Sequence, residues 1–428
     1  MKRTFIKDIE LEKEVKITGF VEKFRDLKFV QFIVLSDVTG SIQITIDKEK
    51  SADQVQTTTI IEGSTLVVYG KAVDSPSVKL GGREFIPTKV EIETMAEASP
   101  IGTDSSVELK SDFRWIDLRQ PSKRLIFKVQ TILIDAMRRY LIDKDFIEIH
   151  TPKLSAISSE GGSEVFKTDY FGQEVYLTQS PQLYKQMAIA SGFDKVFEIG
   201  EAFRAEKSYT NKHVTEFVSF DVEMGGIESH EDVMELEENM IAYAMQVVKD
   251  TYGEEIKSTF GIDLVVPTVP FPRFPMSEIY KILNDNKFDI EEGEDISTDM
   301  EKFLGEYMVK KNGHDFFFIT DYPAEIRAFY HQRYEGTMIA KGYDLYYRTV
   351  EITTGAQREH RAERLMAQMR ERGIEPSHLQ QYVDFFRYGC PAHGGFAIGV
   401  ERITMLLLDQ PSLRETALIY RSPNRIKP

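Results

Sequence analysis

VFEIGEAFRAEKSYTNKHVTEFVSFDVEM, residues 196–224, holds two runs of strand character joined by a polar loop at 207–213. Such a hairpin aims Arg204 and Glu206 from one face of its first strand, because side chains two apart in a strand point the same way. A guanidinium fork suits a phosphate or a carboxylate, and a carboxylate beside it can accept from an exocyclic amine. Alone, the pair reads as a solvated ion pair on a sheet edge. A second stretch, GGFAIGVERITMLLLDQPSLRE at 394–415, changes that reading. Its glycines let a ligand approach the backbone, and the pattern turns from strand-like FAIGV to a helix beginning near Glu401. Arg402 then stands at a helix N-terminus, where anions are favoured.

Around these stretches lie 428 residues, more than one hydrophobic core usually organises, so two or three domains are expected. With 42% apolar and 29% charged residues, the chain can bury a core and solvate a surface. The first residues, MKRTFIKDIELEKEV, lack the apolar centre of a signal peptide, and no later stretch has the length of a membrane span. A cytoplasmic protein is the expectation, and the single cysteine, Cys390, fits a reducing compartment. The net charge of −16 argues against a nonspecific nucleic-acid coat. Residues 1–104 carry 14 basic against 17 acidic side chains, so a local nucleic-acid site there is compatible with the charge.

Residues 15–46 read as three strands, VKITGFVEKF, KFVQFIVLSD and SIQITID. A stretch of helical potential at 50–61 follows, then two more strands in STLVVYGKAV and TKVEIETM. Five strands with a helix between the third and fourth is the layout of an OB-fold barrel. The small and polar run 98–112 reads as a linker. The expected domains are an OB-fold over 1–104, a linker over 105–121, and a second domain over 122–428 with an acidic insertion at about 257–315. Helices are expected from Ser122 to Asp143 and over 228–250, with strand FIEIHTP after the first.

FIEIHTPKL, FRAE with HVTEF, and AIGVERITMLLL occur in the order of the three signatures of the class II aminoacyl-tRNA synthetases, which the chain resembles along essentially its whole length. Within that class, SSEGGSE (158–164), QSPQLYKQ (179–186), VEITTGAQREHR (350–361) and FRYGCPAHGGF (386–396) are similar to the aspartyl family of archaeal and eukaryotic type. The resemblance implies an α+β protein: an N-terminal OB-fold that binds the anticodon and an antiparallel catalytic sheet flanked by helices. It also implies a homodimer paired through the helix and strand that end at Pro152. ATP and Mg²⁺ would be used to activate L-aspartate and load it onto tRNA.

Carried over position by position, Arg204 would contact the α-phosphate and the substrate carboxylate, Glu206 the adenine amine, and Phe217 the adenine face. Arg402 would clamp the γ-phosphate, with Ala205, Lys212, His213, Val214, Gly399, Val400 and Glu401 completing the ATP site. Glu351 and Thr354 would ligate Mg²⁺. Arg204, Arg402 and Glu351 form the catalytic set. Two anions must meet in this reaction, so cations have to neutralise them. Lys185 and Arg358 would take the aspartate side chain, with Glu160, Gln182 and Asp221 on the ammonium and polar atoms. Arg25, Phe32 and Gln43 would meet the anticodon, Phe32 by stacking unless it is barrel core.

Ala397 stands where the third signature usually has Gly, and Thr354 where Ser is common; both changes are small. An asparaginyl-tRNA synthetase shares the architecture, but a buried Lys185 suits a carboxylate better than an amide. An amide-forming ligase on the same catalytic fold would not need the OB-fold. If the enzyme also charges asparagine tRNA, a partner tRNA amidotransferase is implied.

Overall fold

The computed structural model describes residues 1–50, 59–156, 164–207 and 210–428. Most of the helical stretch expected at 50–61 lies outside the described residues, as does Glu160. The chain divides into two compact units, Met1–Pro121 and Ser122–Pro428.

In the first unit, strands β1 (Val15–Asp26), β2 (Val30–Asp37), β3 (Gly40–Asp47), β4 (Thr65–Asp74) and β5 (Arg83–Thr94) close into a barrel of order β1-β2-β3-β5-β4. Alternation along the strands fills it: Ile17, Ile33, Leu35, Ile42, Ile44, Leu66, Val68 and Phe85 have no exposed surface. Burying each large apolar side chain stabilises the fold by about 1.5–3 kcal/mol relative to exposure. A bulge between Val21 and Lys23 bends β1 where the barrel must curve. The expected OB-fold is present. The run read as a linker is not structureless, since it forms α1 (Val107–Asp112) and α2 (Arg114–Asp117), both within the first unit. Ser106 caps α1 by accepting from Leu109 N, a capping residue that the small polar composition concealed.

The second unit begins with α3 (Pro121–Ile142, from Ser122 onward), followed by the short strands β6 (Ile147–Glu148), β7 (Leu154–Ser155), β8 (Lys167–Tyr170) and β9 (Gln173–Leu177). Then come α4 (Gln182–Ala190), β10 (Lys195–Phe203), β11 (Glu216–Gly225) and α5 (His230–Phe260). β12 (Arg273–Pro275), α6 (Met276–Asp285), α7 (Thr298–Asn312) and β13 (Phe316–Thr320) follow. The chain ends with β14 (Gly342–Tyr347), β15 (Val350–Gln357), α8 (Ala362–Glu371), α9 (Gln380–Arg387), β16 (His393–Gly399) and α10 (Val400–Leu407). Eight strands form one sheet in the order β12-β13-β14-β15-β16-β11-β10-β6, antiparallel except at its two outermost pairings.

α3 and α5 cover one face of this sheet. Leu125, Val129, Leu133 and Met137 from α3, and Met240, Ile241, Met245 and Val248 from α5, pack with Phe197, Phe220, Val222, Phe396 and Ile398. α5 starts at a capping box, Ser229 with Asp232, and ends at Gly261 in the left-handed region with φ 74°. The segment expected as an insertion is integral to the sheet. β12 pairs in parallel with β13, and α6 and α7 bury Ile279, Leu283, Leu304 and Met308 against Phe317 and Ile319. Most of its acidic residues are exposed and masked this apolar pattern, whereas Glu301 is largely buried, 3.3 Å from Lys212.

Glu237, on the inner face of α5, is fully buried and accepts from Tyr343 Oη at 2.8 Å. Burial pushes its carboxyl up to about 8, so the folded state holds a proton that the unfolded chain loses near 4.5. The contribution to stability is therefore complete below about pH 4.5 and is lost as pH rises through about 8. Thermal melting of Glu237→Gln should be flatter across that window than melting of the parent, and more stable at its alkaline end. Parallel pH profiles for the two proteins would contradict this.

Candidate active site

β10 ends at Phe203, so Arg204 and Glu206 leave from just beyond the strand and not from its face as expected. The hairpin still fixes them. Arg204 N donates to Thr215 O at 2.9 Å, its guanidinium lies 5.3 Å from the Phe217 ring centroid, and Nη1 stands 3.8 Å from Glu206 Oε1. Lys212, His213 and Val214 from the loop side join them in lining a cavity of about 750 Å³, with Gly399, Glu401 and Arg402 opposite. Burial holds His213 below its ordinary pKa, outweighing nearby Glu206. Ala205 and Val400 are not among the walls: Ala205 N donates to Glu164 O at 2.7 Å, and Val400 sits in the main core. Ala205 adjoins this cavity only through its neighbours in the chain.

α10 begins at Val400, one residue before the expected start, and carries Arg402 in its first turn. Arg402 Nη1 donates to Glu351 O at 2.8 Å, which ties this guanidinium to β15. Glu401 points its carboxylate at Val218 N, 3.1 Å from each oxygen, and burial raises its pKa to about 7. It therefore anchors α10 to β11 while bordering the cavity.

Thr354 Oγ1 donates to Glu351 Oε1 at 3.1 Å, and strand register sets Asp344 directly opposite Thr354. Burial raises the Glu351 pKa to about 7, with Asp344 adding to the shift. Asp344 forms an ion pair with Arg327, while its buried Oδ1 has no hydrogen-bond partner. Among the described residues no three His, Cys, Asp or Glu side chains already converge as a metal cluster. Two hard carboxylates and a hydroxyl nevertheless fit Mg²⁺, which keeps several ligands from phosphate and water. Asp344 was missed in the sequence because it sits inside the apolar run GYDLYY.

A second cavity of about 660 Å³ shares Arg204, Thr354 and Ala397 with the first. Lys185 and Arg358 meet there, on α4 and just past β15. Both are buried, with 2% and 3% of their surface exposed, which excludes a surface role for Lys185. Between them stands Glu223, which has no exposed surface. Its Oε2 lies 3.3 Å from Lys185 Nζ, and its Oε1 accepts from Arg358 Nε at 3.0 Å. Asp221 Oδ1 lies 3.1 Å from Lys185 Nζ on its other side, and Ser219 Oγ donates to Asp221 Oδ2 at 2.6 Å. Burial alone would raise the Glu223 pKa, but Arg358 and Lys185 outweigh it and hold the carboxyl below its ordinary value.

The remaining Arg358 donors are also placed. Nη2 donates to Gly395 O at 2.9 Å, and Nη1 lies 3.4 Å from His331 Nε2. Burial, with Arg358 alongside, pushes the His331 pKa well down, so the ring is neutral and Nε2 accepts. Gly395 is required by space, since a Cβ would stand 2.3 Å from Glu223 Oε2. Ser219, Asp221 and Glu223 alternate with Phe220 and Val222, and this period-two polar row is the signal that could have found Glu223. Gln182 also lines this cavity. Removing one partner from a buried ion network leaves uncompensated charge, so Glu223→Ala should cost about 3–5 kcal/mol in chemical denaturation. A loss below about 1 kcal/mol would show that water or substrate-side groups already neutralise the two cations.

On the barrel, Phe32 is half-buried between the fully buried Ile33 and its own strand edge, and it pairs with Arg25 on β1 and Thr45 on β3. Gln43 lies two residues from Thr45 and donates to its hydroxyl at 3.3 Å. Arg25, Phe32 and Gln43 thus share the outer face, and Phe32 is not barrel core.

A closed OB-fold barrel and an antiparallel sheet carrying two arginine-lined cavities define a class II synthetase architecture. The chain belongs to the class II tRNA synthetases (D, K and N), whose family model matches residues 106–421, while residues 7–93 match the OB-fold nucleic acid binding domain. It is 41% identical to an aspartate–tRNA(Asp) ligase of Pyrococcus abyssi, over 97% of this chain and 96% of that one. It is 36% identical to an aspartate–tRNA(Asp/Asn) ligase of Methanopyrus kandleri, over the full length of both. Among solved structures, asparaginyl-tRNA synthetase from Pyrococcus horikoshii with bound asparaginyl-adenylate superposes with a TM-score of 0.91 at 29% identity, covering 100% of each chain.

Proposed function

We propose that this aminoacyl-tRNA ligase activates L-aspartate with ATP and transfers it to the 3′ end of tRNA(Asp). The convergence of Lys185 and Arg358 on one buried cavity that opens onto Arg204 carries the reading. Both cations only donate hydrogen bonds, and a carboxylate only accepts them. An asparagine amide would turn an NH₂ donor toward one of the two. The full-length similarity to aspartate ligases points the same way.

The substrate α-carboxylate attacks the α-phosphorus, pyrophosphate leaves, and a terminal hydroxyl of the tRNA then attacks the carbonyl of the adenylate, losing its proton as AMP leaves. Arg204 borders both cavities, so it can neutralise the attacking carboxylate and the α-phosphate together. Phe217 offers a face to adenine, Glu206 an acceptor to its amine, and Arg402 a fork for the γ-phosphate. Mg²⁺ held by Glu351 and Thr354, with Asp344 as a further ligand, would supply charge neutralisation for the phosphates. Arg25, Phe32 and Gln43 would read the anticodon. A cytoplasmic homodimer paired through α3 and β6 completes the reading; none of the helices is long and apolar enough to cross a membrane among the described residues.

Arg358→Ala should abolish aspartate-dependent ATP–pyrophosphate exchange, and Lys185→Met should weaken aspartate far more than asparagine. Retained exchange in the first variant, or equal losses in the second, would remove the side-chain assignment. Phe32→Ala should raise the KM for tRNA by roughly 5- to 150-fold, the equivalent of one stacked base at about 1–3 kcal/mol, and leave tRNA-free exchange intact. Equal loss in both assays would return Phe32 to a structural role. Charging of purified tRNA(Asp) and tRNA(Asn) with labelled aspartate decides the tRNA range, and charging of both would imply a partner amidotransferase.

A further inference from the structure

Behind the aspartate cavity lies a chain of buried polar groups that the mechanism does not use. His393 Nδ1 is 2.9 Å from Pro391 O, with Cys390 Sγ a weaker neighbour at 3.6 Å. A carbonyl oxygen only accepts, so Nδ1 carries the proton, and in a neutral ring Nε2 must then accept. The ring has no exposed surface, and burial disfavours its charged form although Glu223 opposes this. Gln186 Nε2 stands 2.9 Å from His393 Nε2 and is therefore the donor. The Gln186 amide is thereby oriented, with Oε1 turned away from the imidazole.

That oxygen accepts from Tyr382 Oη at 2.8 Å and from Gln182 Nε2 at 2.9 Å. Gln182 cannot turn its own amide round without setting oxygen against oxygen. Its Nε2 is committed inward, which leaves Oε1 for the cavity that Gln182 lines. Gln182, Gln186, Tyr382 and His393 are at most 4% exposed, so water cannot substitute for a missing partner without a new cavity.

We propose that Gln186 is a positioning residue for amino-acid recognition: backed by His393 and Tyr382, it holds the Gln182 amide with its oxygen toward the substrate, presenting an acceptor to the α-ammonium. This rests on the assignment of Gln182 to the ammonium. The donor order runs from a backbone carbonyl through three side chains, so the polarity of the recognition amide is written into the fold.

The test is ATP–pyrophosphate exchange with aspartate, and inhibition of that exchange by succinate, which is aspartate without its ammonium. Gln186→Leu should raise the KM for aspartate about tenfold, the scale of a hydrogen bond to a charged group, and leave kcat, the KM for ATP and the succinate inhibition constant unchanged. Gln186→Met, closer in shape, carries the same expectation where the Leu variant does not fold. Gln186→Glu should restore the aspartate KM, because a neutral carboxylic acid donates to His393 and accepts from Gln182 at the same places. In a Gln182→Ala background, Gln186→Leu should add nothing. Equal weakening of aspartate and succinate, or a further loss in the Gln182→Ala background, overturns the proposal. If Gln182→Ala alone raises the aspartate KM and Gln186→Leu does not, the positioning role fails while the ammonium assignment stands. If Gln182→Ala leaves that KM unchanged, the assignment fails and the proposal with it.

Discussion

The buried ion network of Lys185, Glu223 and Arg358 is the constraint around which the second unit is arranged. Two cations with almost no exposed surface could not be carried there alone, because desolvation of each costs several kcal/mol. Glu223 and Asp221 supply two compensating charges, both on β11, the strand at the centre of the hairpin that also positions Arg204. Within this network the formal charges balance, while Arg204 and Arg327 also line the cavity. Lys185 and Arg358 can be satisfied only by acceptors, and the fold already supplies several, since Lys185 Nζ also lies 3.4 Å from Val222 O and 3.3 Å from Phe396 O.

Backbone geometry makes this network possible. β16 must pass close to Glu223, and only glycine at 395 leaves room for its carboxylate. The same strand ends at Gly399 and feeds α10, so the strand that admits Glu223 also delivers Arg402 to the first cavity. β15 contributes Glu351 and Thr354 on one side of Arg204 and leads to Arg358 on the other. The two cavities are thus built on neighbouring positions of the same three strands.

Much of this was legible in the sequence, for identifiable reasons. The barrel strands alternate cleanly, and FRAE and GVER occur at turns where strand pattern changes, so both arginines stood out against their surroundings. The exits were less legible: Arg204 lies past its strand because the chain turns at the loop, a property of pairing with Thr215 and not of side-chain period. Asp344 was hidden because it is a lone acid in an apolar strand, whereas Glu223 stands in the period-two row of Ser219 and Asp221, whose local pattern cannot say which cations face it. The segment 257–315 read as an insertion because the acidic run at 289–295, ahead of α7, dominates its composition while its buried residues are spaced by helical period.

Arg204 shows why the two cavities cannot be assigned separately. It lies over Phe217 in the first cavity and also lines the second, so an anion in one would restrain a group that borders the other. Glu206, 3.8 Å from its guanidinium, is a loose partner at a half-exposed position and holds it only weakly. An anion entering either cavity would compete for the same fork and draw it from this pairing. Arg204 is thus a cation on which both cavities can draw, because it lines each of them and is held by Glu206 only at 3.8 Å.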